Sequence, residues 1–92
     1  MGLHICCNID DQDHPDWDYL RRGNDRNFPS LIDWENTIRK VDSYGEEIGF
    51  RPTDMDSLKQ RLLDKGWDDE ERYLHLLSLV ENNENVWLYF SY

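Results

Sequence analysis

The chain reads as an α+β domain, with three helices packed on a small antiparallel sheet that includes the N- and C-terminal strands. Three observations predict this. The last seven residues, Val86-Trp87-Leu88-Tyr89-Phe90-Ser91-Tyr92, are β-branched or aromatic almost throughout and contain no Gly or Pro, the composition of a strand. A greasy tail left loose would be an aggregation hazard, so it needs a partner; the other β-like run is Gly2 to Ile9. Between them, apolar residues recur at three- and four-residue steps, the helical spacing. The 92 residues are 38% hydrophobic with four Trp, five Tyr and three Phe, enough for one packed domain spanning residues 1–92.

Residues 2–9 form the first expected strand, with Leu3, Ile5 and Cys7 on one face and His4, Cys6 and Asn8 on the other. The run from Asp10 to Asp18 holds five carboxylates and Pro15 and reads as a loop. Trp17, Tyr19 and Leu20 are expected to pin its far end to the core. Arg21 to Asn27 is a locally basic turn. A first helix is predicted from Ser30, a good N-cap, with Asp33 and Glu35 suiting the helix dipole. Its stripe would be Leu31, Trp34, Ile38, Val41, Tyr44 and Ile48, ended at Gly45 or Gly49; a short strand over 46–51 is the alternative. A second helix starts from the Thr53 cap with Asp56 at the capping-box position. It buries Met55, Leu58, Leu62 and Leu63 and stops at Gly66. Asp68 caps a third, whose Tyr73, Leu74, Leu76, Leu77 and Val80 face inward. Residues 82–85 turn into the final strand.

The charge is uneven. Twenty acidic and ten basic residues leave a net −10, and residues 1–20 alone carry five aspartates with no Lys or Arg. Such a field repels nucleic acid and anionic membrane surfaces and favours a basic partner. A second acidic group, Asp68, Asp69, Glu70 and Glu71, opens the third helix, where the macrodipole already favours acids. No apolar stretch approaches the roughly 20 residues of a membrane span, and no basic-then-apolar leader begins the chain. The only cysteines, Cys6 and Cys7, are adjacent and would face opposite sides of a strand, so a reducing, cytoplasmic setting is expected.

Candidate chemistry is sparse. Zinc could draw on His4, Cys6 and His14, but Cys7 points away from them, and ordinary strand residues is the preferred reading. The aspartate loop lacks the Gly and terminal Glu of a helix–loop–helix calcium site. Twenty acids make close carboxylate pairs unspecific, and no nucleophile elbow, zinc-protease helix or phosphate loop occurs. His75, between Leu74 and Leu76, reads as a boundary histidine. No cofactor, metal or catalytic residue is expected.

A partner-binding surface is therefore predicted, made of Asp10, Asp11, Asp13, Asp16, Trp17, Asp18, Asp68, Asp69 and Glu70. A row of carboxylates imitates phosphates to a basic groove, and Trp17 would supply the apolar anchor. In size, acidity and lack of catalytic motifs the chain resembles phage-encoded inhibitors of bacterial defence, including anti-CRISPR and DNA-mimic proteins. It is similar in the same respects to small immunity proteins that neutralise toxic nucleases. The likeness lies in size and charge and carries no site residue. It implies a non-enzymatic inhibitor of a basic protein or nucleoprotein complex, acting in a host cytoplasm if phage-encoded. The alternative is an accessory protein that self-associates, as a homodimer, through its terminal strand.

Overall fold

Both ends of the chain meet inside one sheet. The computed structural model describes residues 2–17 and 24–92. Strand β1 (His4–Ile9) and strand β5 (Val86–Ser91) pair antiparallel over six residue pairs, from His4↔Ser91 to Ile9↔Val86. Short β2 (Gln12–Asp13), β3 (Thr37–Val41) and β4 (Glu47–Pro52) complete an antiparallel sheet of order β2-β1-β5-β4-β3. Two helices, α1 (Met55–Lys65) and α2 (Glu70–Asn82), precede β5. The paired terminal strands match the expectation; the number of helices does not. The final strand is also central, flanked by β1 and β4, so it offers no free edge for the homodimer expected through it. The sheet's edges are β2 and β3.

The helix predicted from Ser30 is absent. In its place stand two 3₁₀ turns, Phe28–Leu31 and Trp34–Asn36, and the hairpin of β3 and β4, the latter covering the alternative strand at 46–51. Thr37, Ile38, Val41 and Ile48 are β-branched and lose rotamer freedom in a helix. Between them, Gly45 adopts φ 82°, and Asp42 ties the turn by accepting from the Tyr44 and Glu46 amides at 2.8 and 3.0 Å. Leu31 is buried, but the stripe after it is consequently on the surface: Ile38 is 52%, Val41 55% and Tyr44 90% exposed.

The two real helices follow the sequence signals closely. Asp54, one residue after the expected Thr53, caps α1 by accepting from the Ser57 amide at 3.1 Å. Thr53 instead bonds the Asn36 carbonyl through both its hydroxyl and its amide. Leu58 and Leu62 are buried, but Leu63 is turned outward. Asp69 rather than Asp68 occupies the N-cap of α2, without a side-chain cap bond, and Glu70 and Glu71 sit in its first turn. At the far end Arg51 reaches from β4 to the carbonyls of Val80, Asn83 and Val86 at 2.6–3.0 Å. A cation there satisfies the carbonyls that every helix end leaves over.

The core lies between the helices and one sheet face. Ile5, Cys7, Val86, Leu88 and Phe50 from the strands meet Leu58, Leu62, Tyr73, Leu76, Leu77 and Val80 from the helices, with Phe28, Leu31 and Trp17 closing the side. Because β2 is only two residues long, the rest of β1's outer edge is met by the following chain. The His14 amide bonds the Cys7 carbonyl, the Trp17 indole Nε1 donates to the Ile5 carbonyl at 2.9 Å, and the Asp25 amide donates to the Leu3 carbonyl. The Asp25 carboxylate, 1% exposed, accepts from the Ile5 amide (3.0 Å), both Arg72 terminal nitrogens (2.9 and 3.1 Å) and the Tyr73 hydroxyl (2.7 Å).

Burial alone would raise the Asp25 pKa, but bonds from Arg72, the Ile5 amide and Tyr73 outweigh it and hold the carboxyl below its ordinary 3.8. Its stabilising contribution is thus complete above about pH 4 and lost as the pH falls through the depressed native value. Asp25→Asn is expected to cost about 3–5 kcal/mol, because it leaves Arg72 buried without its counter-charge. Chemical denaturation at pH 7 measures that loss. An acid titration of stability should show the variant flatter below pH 4 than the parent.

Candidate functional site

The sheet face turned away from the helices is open, and strand alternation decides what it carries. His4, Cys6 and Asn8 of β1 stand opposite Ser91, Tyr89 and Trp87 of β5. Gly49 joins them from β4, where an added Cβ would come within 3.3 Å of the Trp87 Cβ, so glycine lets the two strands approach here without a side chain crowding Trp87. Lys40 pairs with Gly49 across β3 and β4 and shares the face.

The face is concave. β1 and β3 lie three spacings apart, about 14 Å in a flat sheet, yet the Lys40 ammonium on β3 pairs with Asp11 at the β1–β2 turn, 2.9 Å away. That link requires the sheet to curl over Trp87, whose ring lies 5.6 Å beneath the same ammonium. Two adjoining cavities result, of about 550 and 360 Å³, sharing Asn8, Asp11 and Ile48.

The larger cavity opens where the sheet comes apart. β4 and β5 pair only at Phe50↔Leu88, and the space toward Glu47 and Phe90 reaches a row of rings. Trp34 meets Phe50 edge-on at 5.0 Å, and Phe50 stacks on Phe90 at 5.2 Å. Asp11, Asp13 and Glu47 supply the lining carboxylates. At the mouth the Arg39 guanidinium lies 5.0 Å over Trp34 and pairs with Glu47 at 2.6 Å.

The acidic residues divide. Asp10 and Asp11 are the two turn residues between β1 and β2, both with left-handed φ of 52° and 64°. Aspartate tolerates that conformation, which a two-residue hairpin of type I′ demands. Asp13 follows on β2 and accepts from the Tyr89 hydroxyl at 3.0 Å. Burial and then this bond raise the Tyr89 phenol far above its ordinary value, so it stays a donor. Asp16 is exposed beyond the turn. Asp18 lies outside the described residues, as do Tyr19, Leu20, Arg21 and Arg22. Asp68 and Asp69 line a separate cavity of about 110 Å³ with Asn24, Asn27, Trp67 and Tyr73, with Glu70 behind them in α2, and this cavity shares no residue with the open face. Asp69 is partly engaged by Arg72 at 3.6 Å.

Trp17 is the clear correction. It is 4% exposed, its indole holds the Ile5 carbonyl, and the Arg72 guanidinium covers its ring at 4.9 Å. An indole so enclosed cannot anchor a partner. The aromatic residues beside the aspartates are instead Trp87 and Tyr89, which the alternation of the last strand places opposite Leu88, and Trp34, which only the hairpin brings near. Among the described residues no three His, Cys, Asp or Glu side chains gather as a metal site, and none of the helices is long and apolar enough to cross a membrane.

Compared with protein-family models, curated proteins and solved structures, the chain finds no match. The site is therefore read from its own geometry and charge.

Cys6 and Cys7 are free thiols, buried on opposite faces. Burial pushes Cys6 up to about 11 and Cys7 up to about 12. At pH 8 roughly one Cys6 in a thousand would be thiolate. A thiol-reactive chromophore is expected to leave the folded protein unmodified and to titrate both cysteines in guanidinium. Rapid labelling of the folded chain would contradict the burial.

Proposed function

We propose that this chain is a non-enzymatic binding protein whose open, acidic sheet face engages a basic polypeptide. By occupying a groove that otherwise holds nucleic acid, it acts as an inhibitor of a nucleic-acid-handling partner. One observation carries the reading: the two-residue turn of Asp10 and Asp11, with Asp13 following on β2, sets carboxylates beside an aromatic cavity that Asp11 and Asp13 line. Charge at the rim steers encounter within a Debye length of about 8–10 Å, and apolar contacts in the hollow give the complex its lifetime. The net charge of −10 supports the same sign of partner. The exposed Ile38, Ile48 and Tyr44 extend the apolar part of the surface along the β3–β4 hairpin. Anti-defence inhibitors and nuclease immunity proteins share this chemistry, and the partner's identity separates them.

Titrated into fluorescent DNA complexes of nucleases and defence effectors, the protein is expected to release DNA from its cognate partner. Asp10→Asn/Asp11→Asn/Asp13→Asn should weaken release at least about tenfold, and so should raising salt from about 50 to 200 mM. Asn tolerates the same left-handed turn, so the triple variant keeps the hairpin. Release indifferent to both changes would remove the proposal.

A further inference from the structure

We propose that the cavity between β4 and β5 is a receptor for one arginine side chain of the partner. This rests on the binding role proposed above and assigns the contact within it. The cavity starts just past the single Phe50↔Leu88 pairing and holds about 550 Å³, ample for a long side chain entering end-on. Its lining combines the ring row Trp34, Phe50 and Phe90 with Tyr89 and Asp13.

Charge selects the occupant. Among the described residues, Glu47 is already paired with Arg39 and Asp11 with Lys40, whereas Asp13 is met only by the neutral hydroxyl of Tyr89. One lining carboxylate thus has no cationic partner among the described residues and is fixed in place by a donor bond. The chain's own cations show what such surroundings accept: at this cavity Arg39 lies over Trp34 while pairing with Glu47, and in the adjoining one Lys40 lies over Trp87 while pairing with Asp11. A guanidinium is planar, stacks on rings and forks onto a carboxylate, and it sheds water more readily than an ammonium. A slot lined by both rings and a carboxylate suits that shape better than a point charge.

The test is an NMR titration of the full-length, ¹⁵N-labelled chain with acetyl-Gly-Arg-Gly-amide, and in parallel with the peptide carrying citrulline, the neutral isostere of arginine. The arginine peptide is expected to shift the Trp34 indole and the Ile48, Tyr89 and Phe90 amides saturably, with a Kd on the order of millimolar for so short a ligand. Citrulline should leave them in place. Asp13→Asn, a surface change, should weaken the arginine peptide at least about tenfold with the remaining spectrum retained. Equal binding of citrulline, an unaffected Asp13→Asn variant, no saturable shift, or shifts confined to the start of α2 would each overturn the assignment. DNA release that depends on the aspartates while the cavity signals stay still would sink this assignment alone; loss of both would sink the binding role as well.

Discussion

Asp25 is a carboxylate almost without water, and four donors from two distant elements converge on it. Ile5 lies 20 residues before it, and Arg72 and Tyr73 lie 47 and 48 after. A buried charge is tolerated only when paired and fully hydrogen-bonded, so the first strand, the second helix and the chain after the loop must come together as one. The same contact solves a second problem. A strand beside a two-residue neighbour would expose its edge, and here Asp25, Trp17 and His14 take the place of a longer partner. Arg72 serves both tasks, neutralising Asp25 while its guanidinium covers Trp17.

With that side fastened, the sheet is left covered on one face and open on the other. The C-terminal strand runs through the middle, so its alternate residues lie on both faces: Val86, Leu88 and Phe90 toward the helices, Trp87 and Tyr89 toward solvent. A strand rich in aromatic residues is therefore both a core element and the floor of a surface hollow. The exposed Lys40–Asp11 pair spans the hollow above Trp87. Structural and surface roles overlap here, because the hairpin turn that ends β1 also positions the carboxylates.

The misread hairpin shows where sequence patterns fail. Leu31, Trp34, Ile38, Val41, Tyr44 and Ile48 fit a helical stripe, yet a hairpin with an apolar exposed face yields similar spacings. Periodicity assumes that apolar residues face a core. Of these only Leu31 is buried, and the rest of the stripe lies at the surface, so the pattern misled about the element. The β-branched residues flanking Asp42-Ser43-Tyr44-Gly45 were the better signal. Trp17 splits its two readings. It pins the loop to the core as expected, but the hydrogen bond to a strand 12 residues away that buries it rules out the partner-anchoring role.

The sequence by itself determined the α+β class, the pairing of the two ends, the two helices after Pro52 and the acidic excess. These depend on composition and on signals within a few residues: β-rich runs, caps and charge. Tertiary structure alone decided that the last strand is central, that Asp25 rather than any described acid of the aspartate loop is buried, and that Asp13 stands beside a ring-lined cavity while Asp68 and Asp69 stand elsewhere. Each is a contact between residues tens of positions apart, fixed by which faces must be buried and which charges must find a partner, and local pattern holds no record of either.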